Sequence, residues 1–241
     1  MDRIDPKEVS KTYNSIEEIW NLNDKWHWTT HEMIKSFIWK SLNKIPNYKY
    51  LKILNAGSAG NSYDICENQI IHLDIAQKKI AHLSNSILSN IEDIPIRNNT
   101  FDLIICVGSV INYCDPIRVF QEFNRLLMRQ GYIIIEFESS CTLELLGKRK
   151  FNKNIVLTDT FYNGSIERLW YYSERFIKEI AANFNLQIYA QDKCHMLSPL
   201  VYRLFKNEKY AAGFSKYDKI ILRIPLVNRL ASNVIFLFKK I

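Results

Sequence analysis

Two glycines and an aspartate carry the first chemical signal in this chain. Gly57 and Gly60 follow Ile53 and Leu54, which end a buried apolar run, and Asp74 closes a second apolar run over residues 70–73. A glycine turn after a strand lets backbone approach a ligand closely, and the helix start that follows offers free N–H groups. A carboxylate at the tip of the next strand can accept from both hydroxyls of a ribose. Residues 52–74 therefore point to a nucleoside-containing ligand. A second set of residues could move protons. Glu138 follows the apolar run 132–137, where substrate groups gather in open sheets. His195, in Lys193-Cys194-His195-Met196-Leu197-Ser198, and His31 carry imidazoles that change charge near neutral pH. Glu138 and His195 are the catalytic candidates, whereas His72 and His82 read as structural or exposed. Tyr13, Trp26, Trp28 and His31 form an aromatic set that either pins a cap to the core or lines a lid over the site. Tyr162 and Tyr202 join them as candidate substrate contacts.

These residues need elements to position them. Ser15-Ile16-Glu17-Glu18 and Thr29-x-x-Glu32 each fit a capping box, in which side chains satisfy exposed helix N–H groups. They predict a short helix to about residue 21 and a longer one with Met33, Ile34, Phe37, Ile38 and Leu42 on one face, stopped by Pro46. Residues 1–14 read as polar and loose. A short helix is expected over 76–83 and a brief strand at Ile87-Leu88. Residues 101–107, FDLIICV, form the near-continuous apolar run of a strand buried on both faces. Asp115 and Pro116 open a helix with Phe120, Phe123, Leu126 and Leu127 on its buried stripe. Residues 132–137, YIIIEF, form the next strand. Residues 139–162 show no period, and 158–164 read as an insertion or lid. Ser173 caps a helix reaching Phe184, residues 186–189 alternate as a strand, 199–212 read as a helix, and 233–238 as a last strand. Alternating strands and helices give a doubly wound, mostly parallel α/β sheet.

Composition narrows the classes. At 241 residues, with 47% apolar and 24% charged residues, the chain can bury a sizeable core. It has no apolar run of membrane-spanning length and no signal-peptide pattern at its start. The five cysteines include no C-x-x-C pair, which argues against a disulfide framework and structural zinc and favours a reducing, cytoplasmic setting. The net charge of +7 reads as surplus surface lysine.

The order of ILNAGSAG, HLDIA, NIEDIPIRNNTFDLIICVGS and RLLMRQGYIIIEF resembles class I S-adenosylmethionine-dependent methyltransferases of the small-molecule type, motif by motif over about residues 51–140. The resemblance implies a Rossmann-like, seven-stranded sheet over 49–241. A helical cap at 1–48 precedes it, and substrate-side insertions fall near 140–165 and 196–230. It also implies S-adenosylmethionine as cofactor and no metal. On this basis Asn55, Gly57, Ser58 and Ala59 cradle the methionine part, Asp74 takes the ribose, Ile75 packs on adenine, Asn90 meets the adenine amino group, and Ile91 offers a backbone N–H. Gly108 and Ser109 pass under the methionine carboxylate. Asn55 and Asn90 stand where the family usually has acids, and Ala59 where it has glycine.

The expected activity is methyl transfer to a small molecule or peptide by in-line displacement. The alternatives are a nucleic-acid-acting member and a non-catalytic module that keeps the fold. The first lacks the N-P-P-Y type motif after the FDLIICV strand, where GSVIN stands. A nicotinamide enzyme is disfavoured because Gly57-x-x-Gly60 breaks the G-x-G-x-x-G spacing.

Overall fold

Five parallel strands build the centre of the molecule: β1 (Ile53–Ala56), β2 (Ile70–Asp74), β3 (Ser86–Leu88), β4 (Phe101–Cys106) and β5 (Leu127–Glu138). The structure is a computed structural model that describes residues 4–162 and 165–241. The sheet is completed by β9 (Asn233–Lys240), which runs antiparallel between β5 and β8 (Leu186–Cys194). The order β3-β2-β1-β4-β5-β9-β8 makes it seven-stranded and mostly parallel, the Rossmann-like sheet that the resemblance implies. The apolar runs of β1, β4 and β5 are the strands buried on both faces, as helices on each side demand.

One face packs against α4 (Pro116–Leu126) and α5 (Glu174–Asn183), through Phe120, Phe123, Ile177 and Ile180. The other packs against α2 (Lys25–Leu42), through Ile34, Phe37, Ile38 and Leu42. Each such fully buried side chain contributes about 1.5–3 kcal/mol. The predicted caps of α4 and α5 are in place: Asp115 accepts from the Ile117 N–H at 2.9 Å and Ser173 from the Phe176 N–H at 3.2 Å.

Several expectations change. Residues 6–15 are a helix, α1 (Pro6–Ser15), capped by Asp5 with Pro6 at its first position. Ser15 therefore ends a helix instead of starting one, and residues 16–24 turn without helix. The longer helix starts earlier than the Thr29 box implied, because Asp24 caps it by accepting from the N–H groups of Trp26 and His27. The helix expected over 76–83 is one turn, α3 (Gln77–Ile80). The segment 139–162, without readable period, leads into a hairpin of β6 (Ile155–Tyr162) and β7 (Ser165–Tyr172), separate from the main sheet. The Tyr162 side chain lies outside the described residues, so its expected substrate contact has no structural counterpart here. The helix read over 199–212 is two, α6 (Leu197–Phe205) and α7 (Glu208–Ile221), broken where Lys206 turns left-handed (φ 51°) and Asn207 caps the second.

Candidate active site

The glycine turn grows out of the end of β1. The N–H groups of Gly57 and Ser58 both donate to the Leu73 carbonyl on β2, at 2.7 and 3.1 Å, which folds the turn over the sheet edge. The Ala59 N–H donates to Asp74 Oδ2 at 2.7 Å, and the Ala76 N–H to Oδ1 at 2.8 Å. Asp74 thus clamps the turn and the start of α3 while facing a cavity of about 80 Å³ at the C-terminal ends of β1, β2 and β4. Burial raises its pKa against the pull of these amides. Gly57, Ser58, Ala59, Ile75, Asn90, Ile91 and Gly108 share that wall, so eight of the ten expected cofactor contacts meet in one place. From the other side α1 contributes Val9 and Tyr13, and the turn that follows contributes Ile19 and Trp20.

Two cofactor expectations change. Asn55 does not reach the cavity: it is buried in β1 and its Nδ2 donates to the Asn61 carbonyl at 2.6 Å, which braces the far side of the turn. The Ser109 N–H is already committed to Glu136 Oε2 at 2.6 Å, and Ser109 faces a second cavity.

That second cavity, about 160 Å³, adjoins the first through Tyr13, Ile19, Trp20, Gly108 and Tyr113. Glu138, His195, Trp26 and Tyr202 line it, as expected. Glu138 is the chemically perturbed group: burial above all, then the nearby glutamates 144, 136 and 167, push its carboxyl up to about 8, against a hydrogen bond from Tyr171. His195 is held at both ring nitrogens, by Thr30 Oγ1 at 2.8 Å and Ser198 Oγ at 3.1 Å, and Ser198 donates on to Asp218 at 2.6 Å. An imidazole so engaged ties α2, α6 and α7 together and has no nitrogen left for a substrate proton. Trp28 and His31 do not line either cavity. They stack on each other at 4.7 Å, and His31 stacks on Tyr63 at 5.5 Å, in the packing behind Trp20.

The sequence reading missed Trp20, Tyr113, Glu136, Glu144, Glu167 and Tyr171, all in the larger cavity. Glu136 was legible in principle: a carboxylate inside the apolar run YIIIEF requires a partner, and it finds the Ser109 amide and Asn233 Nδ2. Glu167, Leu169 and Tyr171 alternate along β7 and face the cavity together, a period-two signal hidden by the missing hairpin. Among the described residues no group of three or more His, Cys, Asp or Glu could hold a metal ion, and no helix is long and apolar enough to cross a membrane.

The donor set of the smaller cavity fits S-adenosylmethionine. An acid at the β2 tip suits the ribose diol, the apolar Ile75 and Ile91 line the same cavity as Asn90 and suit an adenine ring, and the glycine turn supplies close-lying backbone. A family model described as a methyltransferase domain matches residues 50–135. A curated protein of Methanocaldococcus jannaschii, itself uncharacterized, is 29% identical over 109 residues, or 43% of this chain and 48% of that one; the chain thus spans about half the length of the relative it matches. Among solved structures, a Pyrococcus horikoshii protein superposes with a TM-score of 0.62 at 14% identity, covering 96% of this chain and 99% of that one. The Burkholderia thailandensis 1,6-didemethyltoxoflavin-N1-methyltransferase, with bound 1,6-didemethyltoxoflavin and S-adenosylhomocysteine, does so with a TM-score of 0.58 at 9% identity, covering 98% of this chain and 86% of that one. Likeness at these identities is likeness of fold; residues 50–135 match the methyltransferase-domain model, and the strand order and the cavity built on Asp74 agree with the class I S-adenosylmethionine-dependent methyltransferase fold.

Proposed function

We propose that this chain transfers a methyl group from S-adenosylmethionine to a small molecule held in the larger cavity. The observation that carries the reading is the adjacency of the two chambers: the Asp74 cavity and the Glu138 cavity share Trp20, Gly108 and Tyr113 as common wall. When bound, S-adenosylmethionine supplies a methyl carbon on a sulfonium sulfur, open to in-line displacement. The protein's share is placement and exclusion of water. Asp74 would hold the ribose, and Gly57, Ser58, Ala59 and Gly108 would hold the methionine end. Glu138, with its raised pKa, receives a proton from the acceptor, while His195 positions the wall that carries Trp26 and Tyr202. A cavity of about 160 Å³, roofed by α1, residues 19–20 and the β6–β7 hairpin, favours a compact acceptor over nucleic acid. The reading also treats residues 1–48 as a cap over a domain of residues 49–241.

The test is a thermal-shift titration with S-adenosylmethionine, S-adenosylhomocysteine and NAD. A ligand of the native state raises stability by mass action, about 2.7 kcal/mol at a hundredfold excess over Kd. Both sulfur compounds should stabilise the protein and NAD should not; Asp74→Ala should abolish the shift. Absence of a shift at millimolar cofactor would sink the proposal, and undiminished binding by the Asp74 variant would remove the ribose assignment.

A further inference from the structure

Four glutamates face the larger cavity: Glu136 and Glu138 from β5, Glu144 from the turn Leu143–Leu145, and Glu167 from β7. The chain has 32 lysines and arginines and a net charge of +7, yet no lysine or arginine is among the cavity's described lining residues. A further observation points to a missing ligand group. Glu167 Oε1 is shut off from solvent and, among the described residues, has no hydrogen-bond partner. Glu167 belongs to the cavity wall. Six aromatic residues, Tyr13, Trp20, Trp26, Tyr113, Tyr171 and Tyr202, also line it.

We propose that the methyl acceptor is a compact organic amine, bound as its ammonium cation between this aromatic wall and the buried glutamates. The proposal rests on the methyltransferase reading and names its substrate class. Buried carboxylates without counter-charge are costly, and a cation among them recovers much of that cost. Ring faces add attraction for an ammonium of about 0.5–2 kcal/mol. An ammonium carries several donors, and Glu167 Oε1 is an acceptor without one.

The same groups supply the proton step that an amine needs. The ammonium N–H bond breaks with its electron pair staying on nitrogen, and the proton forms an O–H bond on the Glu138 carboxylate. The nitrogen lone pair is then free for the methyl group. The product nitrogen carries the positive charge again, and Glu138 returns its proton to solvent, one proton per methyl transferred. The groups acting on Glu138 are Tyr171, which donates to it, and Glu144, Glu136 and Glu167. His195 acts on Glu136, and Arg203, Lys148 and Lys206 act on Glu144 from outside the lining. His27, Tyr13, Tyr202 and Tyr113, which donates to Glu167, complete the ionisable wall.

The test uses the full chain saturated with S-adenosylhomocysteine, so that the cofactor's own ammonium group is already placed. Calorimetric titrations then compare benzylamine and benzyltrimethylammonium with benzyl alcohol and benzoate. The two cations should bind at least about tenfold more tightly than the alcohol, equivalent to about 1.4 kcal/mol, and benzoate should not bind. Benzyltrimethylammonium has a fixed charge, so protons released when it binds come from the protein's carboxyls. Glu167→Gln should weaken both cations about tenfold while leaving S-adenosylhomocysteine affinity within about twofold. Equal binding of alcohol and cation, tighter binding of benzoate, or full competition of the cations by magnesium ion would overturn the proposal. If S-adenosylhomocysteine itself fails to bind, the methyltransferase reading falls first; if it binds without any cation preference, only the amine assignment falls.

Discussion

Ala59 occupies the turn in a left-handed conformation, φ 45°, with its N–H on Asp74 at 2.7 Å. A side chain there costs about 1–2 kcal/mol, which glycine avoids. Glycine also frees the unfolded chain, at a cost of about 0.4–1 kcal/mol. Ala59→Gly should therefore leave the unfolding free energy unchanged or raise it by up to about 1.6 kcal/mol, with no weakening of S-adenosylhomocysteine binding. A clear loss of stability would mean the methyl group packs usefully. Gly57 is the opposite case: at φ +74° a Cβ would lie 2.5 Å from Val110 Cγ1. Gly57→Ala should cost about 1–3 kcal/mol in urea unfolding and distort the wall shared with Val110. Glu138 gives the residue-scale test of chemistry. The ionised base accumulates only above its folded pKa of about 8, so turnover should rise with pH through that value. Glu138→Gln should lower kcat about 10²–10⁴-fold and flatten the profile; a retained profile would assign the base elsewhere.

Among the elements, the roof of the site is tied down by hydroxyls. Tyr13 of α1 meets Tyr113 at 2.9 Å, and the Tyr113 hydroxyl donates to Glu167 of β7, so α1, the turn Val110–Tyr113 and the hairpin form one chain over both cavities. Ser10 Oγ adds a bond to the Ile75 carbonyl at 2.7 Å. Tyr113→Phe removes both phenolic links. It should speed release of S-adenosylhomocysteine several-fold in stopped-flow chase, while the unfolding free energy drops by about 1–3 kcal/mol. An unchanged release rate would show that the roof does not gate the cofactor. This roof is also the part least legible in the sequence. β1, β4, β5 and α4 declared themselves, because a buried parallel strand has to be apolar throughout and Asp115-Pro116 satisfies a helix start in only one way. α1 buries none of its residues, so no apolar stripe marks it, and the Ser15 box lost to the Asp5-Pro6 start ten residues earlier. The hairpin's strands carry Thr160 and Glu167 on the cavity wall and the exposed ion pair of Asp159 and Arg168, polar groups that mask a core period. Asp74, Ile75, Asn90 and Ile91 could be read because one short unit fixes them. The glutamates could not, since only the tertiary fold brings β5, the turn at 143–145 and β7 together.

Over the whole molecule, charge is divided unevenly. The chain is basic, with a net charge of +7, while the interior of the site is acidic. Burial raises the carboxyls of Asp74, Glu136, Glu138, Glu144 and Glu167. In the unfolded chain these groups ionise near their ordinary values, 3.8 for Asp and 4.5 for Glu, whereas folded Glu138 keeps its proton up to about 8. Between those values the unfolded state binds fewer protons than the folded state, so stability falls as pH rises. The contribution is fully present below the unfolded values and is lost by the time pH passes the folded ones. Glu122, held down by Arg125, and Asp218, lowered by His195 and Ser198 against the opposing effect of burial, have the opposite sign. Their window lies below their ordinary values, so they are ionised in both states above about pH 5 and leave the slope there unchanged. Urea unfolding of the free protein should therefore show a higher midpoint at pH 5.5 than at pH 8, a decline that Glu138→Gln reduces because amide replaces titrating carboxyl. A bound organic cation should shrink the same decline by stabilising the ionised carboxylates. A midpoint that rises from pH 5.5 to pH 8, in parent and variant alike, would show that the glutamates are solvated and that the acidic chamber does not exist as described.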